Sequence, residues 1–219
     1  MVVGKAVRRV DALDKVTGRA NYVDDLKFPG MLHCAVLRSC VPHARIEEID
    51  TRPAKSLRGV VAVITASDIP GENRMPLVKA DQPFLAEEMV RFYGEAVAAV
   101  AAESLEIARQ SVKKIKVRYK ELKPVLSITE ALADNAPLVH PDGNIYKTYR
   151  IIKGNVEKGF AEADIIIENE YRTPYQEHAY LETQGSVAIP LPAGFMEVRS
   201  SCQCPFYVHE AVHTILGLQ

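Results

Sequence analysis

The 219-residue chain carries 47% apolar and 25% charged residues with 12 glycines and 13 prolines, a composition that excludes disordered, collagen-like and low-complexity classes and leaves one large domain or two modest ones. Its 27 Lys+Arg against 28 Asp+Glu give a net charge of −1, which supplies no general electrostatic pull toward nucleic acid or an anionic membrane. No apolar run nears the roughly 20 residues of a membrane span, and the opening MVVGKAVRRVDALDK has charges where a signal peptide would be apolar, so a soluble cytoplasmic protein is expected.

Turn chemistry in KVTGRANYVDDLKFPGM precedes a strand expected over 31–37 and a second over 44–49. A short helical turn at 53–57 and Gly59 lead into the β-branched run VVAVIT, and AVAAVAAE at 96–103 reads as a buried strand. Ser104 is placed to cap a helix reaching about Ile115, with Glu106 in its first turn, lysines near its end and one apolar stripe of Leu105, Ala108, Val112 and Ile115. KVRYKEL alternates as a half-buried strand and stops at Lys123-Pro124. The irregular interspersion of strands and helices indicates an α+β fold.

Asp, Asn, Pro and Gly gather at 134–144 (DNAPLVHPDGN), which marks a boundary or exposed connector between domains at 1–134 and 145–219. Beyond it, Asn155 is placed to cap the helix VEKGFAEA, followed by a strand expected over DIIIENEYRT at 164–173 and a strand pair at 183–190 and 195–200. Pro205 suits the first turn of a last helix, FYVHEAVHTIL, which Gly217 terminates.

That helix contains His209-Glu210-Ala211-Val212-His213, a literal HExxH, in which two imidazoles one turn apart could bind zinc while the glutamate activates a metal-bound water. No third-ligand motif follows it, and upstream Glu177-His178 would have to fold back to serve. With Val208, Ala211, Val212 and Ile215 forming an apolar face, a packed helix with two flanking histidines explains the pattern equally well. Cys202 and Cys204 lie too close together for a zinc finger; with Cys34 and Cys40 they are expected to be free thiols, one of them a helix-cap neighbour. The dense polar and aromatic stretch 175–182 is either a hydrogen-bonded site or an exposed loop. No serine nucleophile elbow, phosphate loop or dinucleotide fingerprint is present.

VTGRANYVDDLKFPGMLHCAVLRSCVPHARIEEIDT, LRGVVAVITASDIPG and VRFYGEAVAAVAAESLEIARQSVKKIKVRYKELKPVLSITEAL, in this order, resemble the a/b hammerhead domain of the xanthine dehydrogenase and aldehyde oxidase family. GNVEKGFAEADIIIENEYRTPYQEHAYLETQGSVA and SSCQCPFYVHEAVHTILGL resemble the opening of the molybdopterin-binding domain of the same subunit. The resemblance implies part of a molybdenum hydroxylase that places water-derived oxygen on a purine, another heterocycle or an aldehyde. It implies a molybdenum-molybdopterin cofactor, with a 2Fe-2S centre and FAD on an iron-sulfur subunit and an FAD-binding subunit or on other chain segments, and an oligomeric complete enzyme. No flavin signature or iron–sulfur cysteine pattern occurs here.

The family's Ser-Thr-Gln segment maps onto Ser200-Ser201-Cys202-Gln203, with Cys202 in place of the usual threonine, so the resemblance implies that Gln203 hydrogen-bonds an oxo ligand of molybdenum; an amide donates there without adding charge. His209 and His213 fall where relatives carry ordinary variable residues, which favours the packed helix over zinc hydrolysis. Ser39-Cys40 replaces a common Ser-Pro, and Ala96 a common proline. The glycine- and phenylalanine-rich cofactor loop and the general-base glutamate that relatives carry farther on are outside this sequence. The expectation is therefore a fragment, inactive alone, arising as a truncated product, a proteolytic remnant or one product of a split gene. A non-catalytic interaction module is the remaining alternative.

Overall fold

The computed structural model describes residues 3–77 and 79–218. Two compact units divide the chain: residues 1–124 with 181–219, and residues 125–180.

In the first unit a short helix α1 (Ala12–Val16) precedes β1 (His33–Arg38), β2 (Ala44–Asp50), helix α2 (Arg52–Lys55) and β3 (Val60–Thr65). Then come β4 (Met89–Val90), β5 (Ala96–Ala102), helix α3 (Leu105–Val112) and β6 (Lys116–Glu121). β5 is the middle of one antiparallel sheet, order β1-β5-β3, and β2 the middle of a second, order β4-β2-β6.

The alanines of β5 favour helix intrinsically, yet this segment pairs on both edges, and burial overrides propensity. Their small side chains let α3 and α2 lie close to the sheet. Ala54, Val63, Ala98, Val100 and Ile115 make one core cluster; Ala44, Ala86, Val90 and Val97 make the other. Leu37, Ile49 and Val117 pack against both and join them. Buried Ser111 of α3 donates through Oγ to the Ala54 carbonyl at 3.1 Å, which satisfies a hydroxyl inside the core and fixes α3 to α2.

Ser104 caps α3 as expected, its Oγ accepting from the Ile107 N–H at 3.2 Å. The helix stops at Val112, three residues short of expectation, because Lys114 and Ile115 bond back only three residues in a tightened last turn. Ile115 is buried all the same.

The rest of the first unit comprises β7 (Ser186–Pro190), β8 (Met196–Ser200) and helix α6 (Pro205–Leu216). β7 and β8 form an antiparallel hairpin in register from Ser186↔Ser200 to Pro190↔Met196. The expected strand at 183–190 thus starts three residues later, and Pro205 and Gly217 bound α6 as expected.

The second unit holds helix α4 (Ile128–Ala131) and helix α5 (Val156–Glu162), the latter capped by Asn155 Oδ1 accepting from the Lys158 N–H at 2.9 Å. Asn144 organises the 134–144 segment: its side chain accepts from the Val139 N–H and donates to the Ala131 and Pro137 carbonyls, all within 3.1 Å. The strand expected at 164–173 is absent. Ile165, Ile166 and Ile167 are 80%, 60% and 80% exposed in irregular chain; a strand needs a ladder partner, and no described residue pairs with this segment.

Candidate functional site

Gln203 lies in a bend between the β7–β8 hairpin and α6. On the hairpin side, Ser201 continues the ladder by one rung with both backbone and side chain. Its N–H donates to the Gly185 carbonyl at 3.1 Å, and its Oγ accepts from the Gly185 N–H at 2.8 Å. The residue two places before Gln203 is therefore held at three points, since the same hydroxyl also donates to the Gly185 carbonyl at 3.3 Å.

The hairpin is in turn held to the 22–25 turn. Thr183 Oγ1 donates to Asp24 Oδ2 at 2.8 Å, and Glu182 Oε1 accepts from the Val23 N–H at 3.3 Å. A Cβ at Gly185 would come within 3.2 Å of Asp24 Oδ1 and 3.3 Å of Val23 Cγ1, so glycine permits this approach. Arg199 lies over the Phe28 ring, 5.8 Å from its centroid.

On the other side, Cys204 takes the N-cap position without offering a side-chain cap, and Pro205, at the first helical position, has no N–H to satisfy. The far end of α6 closes in a Schellman arrangement: Leu218 N–H donates to the His213 carbonyl and Gly217 N–H to the Thr214 carbonyl, with Gly217 left-handed at φ 62°. Two further bonds reach this helix end from outside it, the Ile215 and Thr214 carbonyls accepting from the Gly71 and Glu72 N–H groups, both at 2.9 Å. A Cβ on Gly71 would run into the Thr214 carbonyl and the Gly217 backbone. α6 is thus fixed at its C-terminus by the loop after β3 and at its N-terminus by the chain leaving Ser201.

That loop has its own buried organiser. Asn73 donates through Nδ2 to the Leu85 carbonyl at 2.7 Å and accepts through Oδ1 from the Phe84 and Leu85 N–H groups. Beside it Arg74 pairs with Glu87 at 2.8 Å, and this hydrogen bond holds the Glu87 carboxyl below the usual glutamate range.

Among the described residues the Gln203 amide makes no hydrogen bond, and its side chain is exposed. A fixed backbone with a free amide is a donor for a neutral or anionic acceptor. His209, Glu210 and His213 are also exposed, the two imidazoles lying one turn apart on α6. Among the described residues no group of three His, Cys, Asp or Glu converges to hold a metal, so the third ligand that zinc hydrolysis needs does not join HExxH. Glu177 Oε1 accepts from the His178 N–H at 3.0 Å, and the 175–182 stretch is exposed almost throughout. All four cysteines are free thiols. No described helix is long and apolar enough to cross a membrane.

Sequence reasoning gave the bounds of α6 but missed Gly71, Asn73, Asp24 and Thr183. The Pro70-Gly71 dipeptide signals a turn; nothing local signals that it meets α6.

Residues 17–123 match the family described as "Aldehyde oxidase and xanthine dehydrogenase, a/b hammerhead domain", and residues 139–219 match "Molybdopterin cofactor-binding domain". The chain is 47% identical over 191 residues to a probable xanthine dehydrogenase subunit of Bacillus subtilis, covering 87% of this chain and 26% of that protein. It is 36% identical over 217 residues to "Nicotinate dehydrogenase large molybdopterin subunit" of Eubacterium barkeri, covering 99% of this chain and 51% of that one. The solved aldehyde oxidoreductase of Desulfovibrio gigas superposes with a TM-score of 0.86 at 33% identity, covering 96% of this chain and 25% of that one. The chain thus spans between a quarter and a half of the length of these relatives.

Proposed function

The chain belongs to the aldehyde oxidase and xanthine dehydrogenase family, and from that premise we propose that it contributes the hammerhead and one wall of the cofactor site to a molybdenum hydroxylase. The reaction class is hydroxylation of an electron-poor carbon in a purine, another N-heterocycle or an aldehyde, with oxygen from water. The division into domains at 1–134 and 145–219 belongs to the same reading.

The observation that carries the role of this chain is Gln203: a free side-chain amide on a backbone fixed on one side by Ser201 and on the other by the start of α6. Its chemistry fits the edge of an oxo-bearing molybdenum–pterin group, because Nε2 donates to an oxygen without bringing a charge that would alter the redox balance. When bound, that cofactor supplies the oxidation itself, carrying hydroxyl to substrate and accepting the electrons. Gln203 would hold that group through its Nε2 donor. The Ser201–Gly185 rung and the Gly71–α6 joint hold the donor where it is aimed.

Two relatives are named as subunits. In the proposed assembly the electrons leave through an iron-sulfur subunit to an FAD-binding subunit, and the remaining part of the molybdopterin domain supplies the general base.

The test is substitution in the assembled enzyme. Gln203→Ala is expected to retain molybdenum, measured by elemental analysis, while lowering kcat for hydroxylation about 10- to 100-fold, the usual cost of losing one outer-shell partner of a metal site. Gln203→Glu, which replaces the donor with a charged acceptor, should be at least as severe. An unchanged kcat in both variants would sink the assignment. An assembled enzyme that holds no molybdenum would sink the whole reading.

A further inference from the structure

We propose that His209 and His213 form a two-imidazole site for a divalent first-row transition ion on the exposed side of α6. This site is distinct from Gln203 and requires no hydrolytic chemistry. Its basis is geometric. α6 runs unbroken from Pro205 to Leu216, so residues four apart stand one above the other on its surface. Both rings are exposed, their centroids lie 6.5 Å apart, and their planes differ by 23°.

With a metal–nitrogen bond of about 2.1 Å and about 1.2 Å from ring centre to nitrogen, an ion sits about 3.3 Å from each centroid, so two rings up to about 6.6 Å apart can share it. The observed separation falls at that linear limit; an angle of about 90–110° at the metal brings the centroids to about 4.7–5.4 Å, an approach of about 1–2 Å that side-chain rotation of the two exposed rings must supply. Imidazole nitrogen is a strong ligand for ions from cobalt to zinc, and an accessible pair needs no buried cavity.

With no third His, Cys, Asp or Glu converging on the pair among the described residues, water completes the coordination shell. The site therefore binds an ion in exchange with solvent. Its affinities follow the general order for nitrogen ligands, with copper tightest, then nickel, then cobalt.

Occupancy has a structural consequence. The ion would clamp the turn between His209 and His213, and the carbonyls at and immediately beyond it carry the joint: His213 to Leu218, Thr214 to Glu72 and Ile215 to Gly71. A clamped turn suppresses opening of that helix end, since an ion that binds only the ordered helix shifts the equilibrium toward it.

The experiment titrates the untagged chain with copper, nickel, zinc and cobalt chlorides by calorimetry, with electron paramagnetic resonance on the copper form. One ion per chain is expected, in the order copper, nickel, cobalt, with two equatorial nitrogens in the copper spectrum and slower amide exchange at 213–218 in the nickel form. His209→Ala and His213→Ala should each weaken binding about tenfold or more. His178→Ala and the paired Cys202→Ser, Cys204→Ser variant should bind as the parent does, which excludes the His178 imidazole and the neighbouring thiols as ligands. The proposal is overturned by stoichiometric binding that survives loss of both His209 and His213. It is equally overturned by no saturable nickel or copper binding up to about 1 mM.

Discussion

Gly71 and Gly217 meet backbone against backbone: a Cβ added to Gly217 would stand 3.3 Å from the Gly71 Cα, and one added to Gly71 would strike the backbone of Gly217 and Thr214. Two hydrogen bonds run through this joint, from Gly71 N–H to the Ile215 carbonyl and from Glu72 N–H to the Thr214 carbonyl. They satisfy carbonyls that a helix end otherwise leaves to water.

Gly71→Ala is therefore expected to part the two segments. Backbone cannot move aside as a flexible side chain can, so the variant loses both bonds or shifts α6, at about 2–4 kcal/mol. Gly217→Ala should be milder, about 1 kcal/mol, because its contacts are looser and the cost is mainly that of a left-handed non-glycine residue. Urea unfolding measures both. Amide exchange at 205–218 shows whether Gly71→Ala loosens α6 in particular.

Asn73 is 7% exposed and serves backbone with both ends of its side chain, one donor to Leu85 and one acceptor shared by Phe84 and Leu85, while its amide also helps to hold the Glu87 carboxyl. Alanine would strand three backbone groups in a largely buried setting, so Asn73→Ala should cost about 2–4 kcal/mol. Asn73→Asp preserves the acceptor but sets a carboxylate against the Leu85 carbonyl, so it rescues little at neutral pH. A comparison of urea midpoints for the two variants is the measurement.

The Arg74–Glu87 pair closes the same loop from outside, and the carboxyl of Glu87 sits below the usual glutamate value because Arg74 donates to it. A carboxyl lowered on folding stabilises the fold above its unfolded value, and that contribution disappears as the pH falls through its folded one. The pair is solvent-accessible, so the effect on global stability is small and screened by salt. Carboxyl carbon NMR should give Glu87 a midpoint below that of an exposed glutamate, and Arg74→Ala should return it upward. An unmoved midpoint in that variant would refute the attribution.

Local rules carried much of the fold. Ser104, Asn155 and Gly217 announce helix boundaries because capping is a matter of a few adjacent residues, and VVAVIT and AVAAVAAE read as strands from composition and flanking turns. DIIIENEYRT has the same strand chemistry and no ladder, since pairing depends on a neighbour that composition does not specify. The site divides in the same way. Gln203 is proposed through resemblance alone and α6 was legible through its caps, whereas the Gly71 joint, the Asn73 hub and the Asp24–Thr183 bond connect residues that are not adjacent in sequence, with only ordinary turn residues to mark them.

In the role proposed for Gln203, Ser201 is the positioning residue. Its hydroxyl accepts from the Gly185 N–H and donates to the Gly185 carbonyl, extending the β7–β8 ladder to within two residues of the amide. Removing the hydroxyl leaves the backbone rung from Ser201 N–H to Gly185 in place, so the hairpin survives while its end frays. Ser201→Ala should speed exchange of the Gly185 amide and cost about 1 kcal/mol of stability. In the assembled enzyme it should lower kcat severalfold with molybdenum content unchanged, because the Gln203 amide then samples positions away from its acceptor. Ser201→Thr keeps the hydroxyl and should restore both exchange protection and rate. If the Gly185 amide exchanges at the parent rate in Ser201→Ala, the rung does not hold the bend and Gln203 is positioned from the α6 side alone.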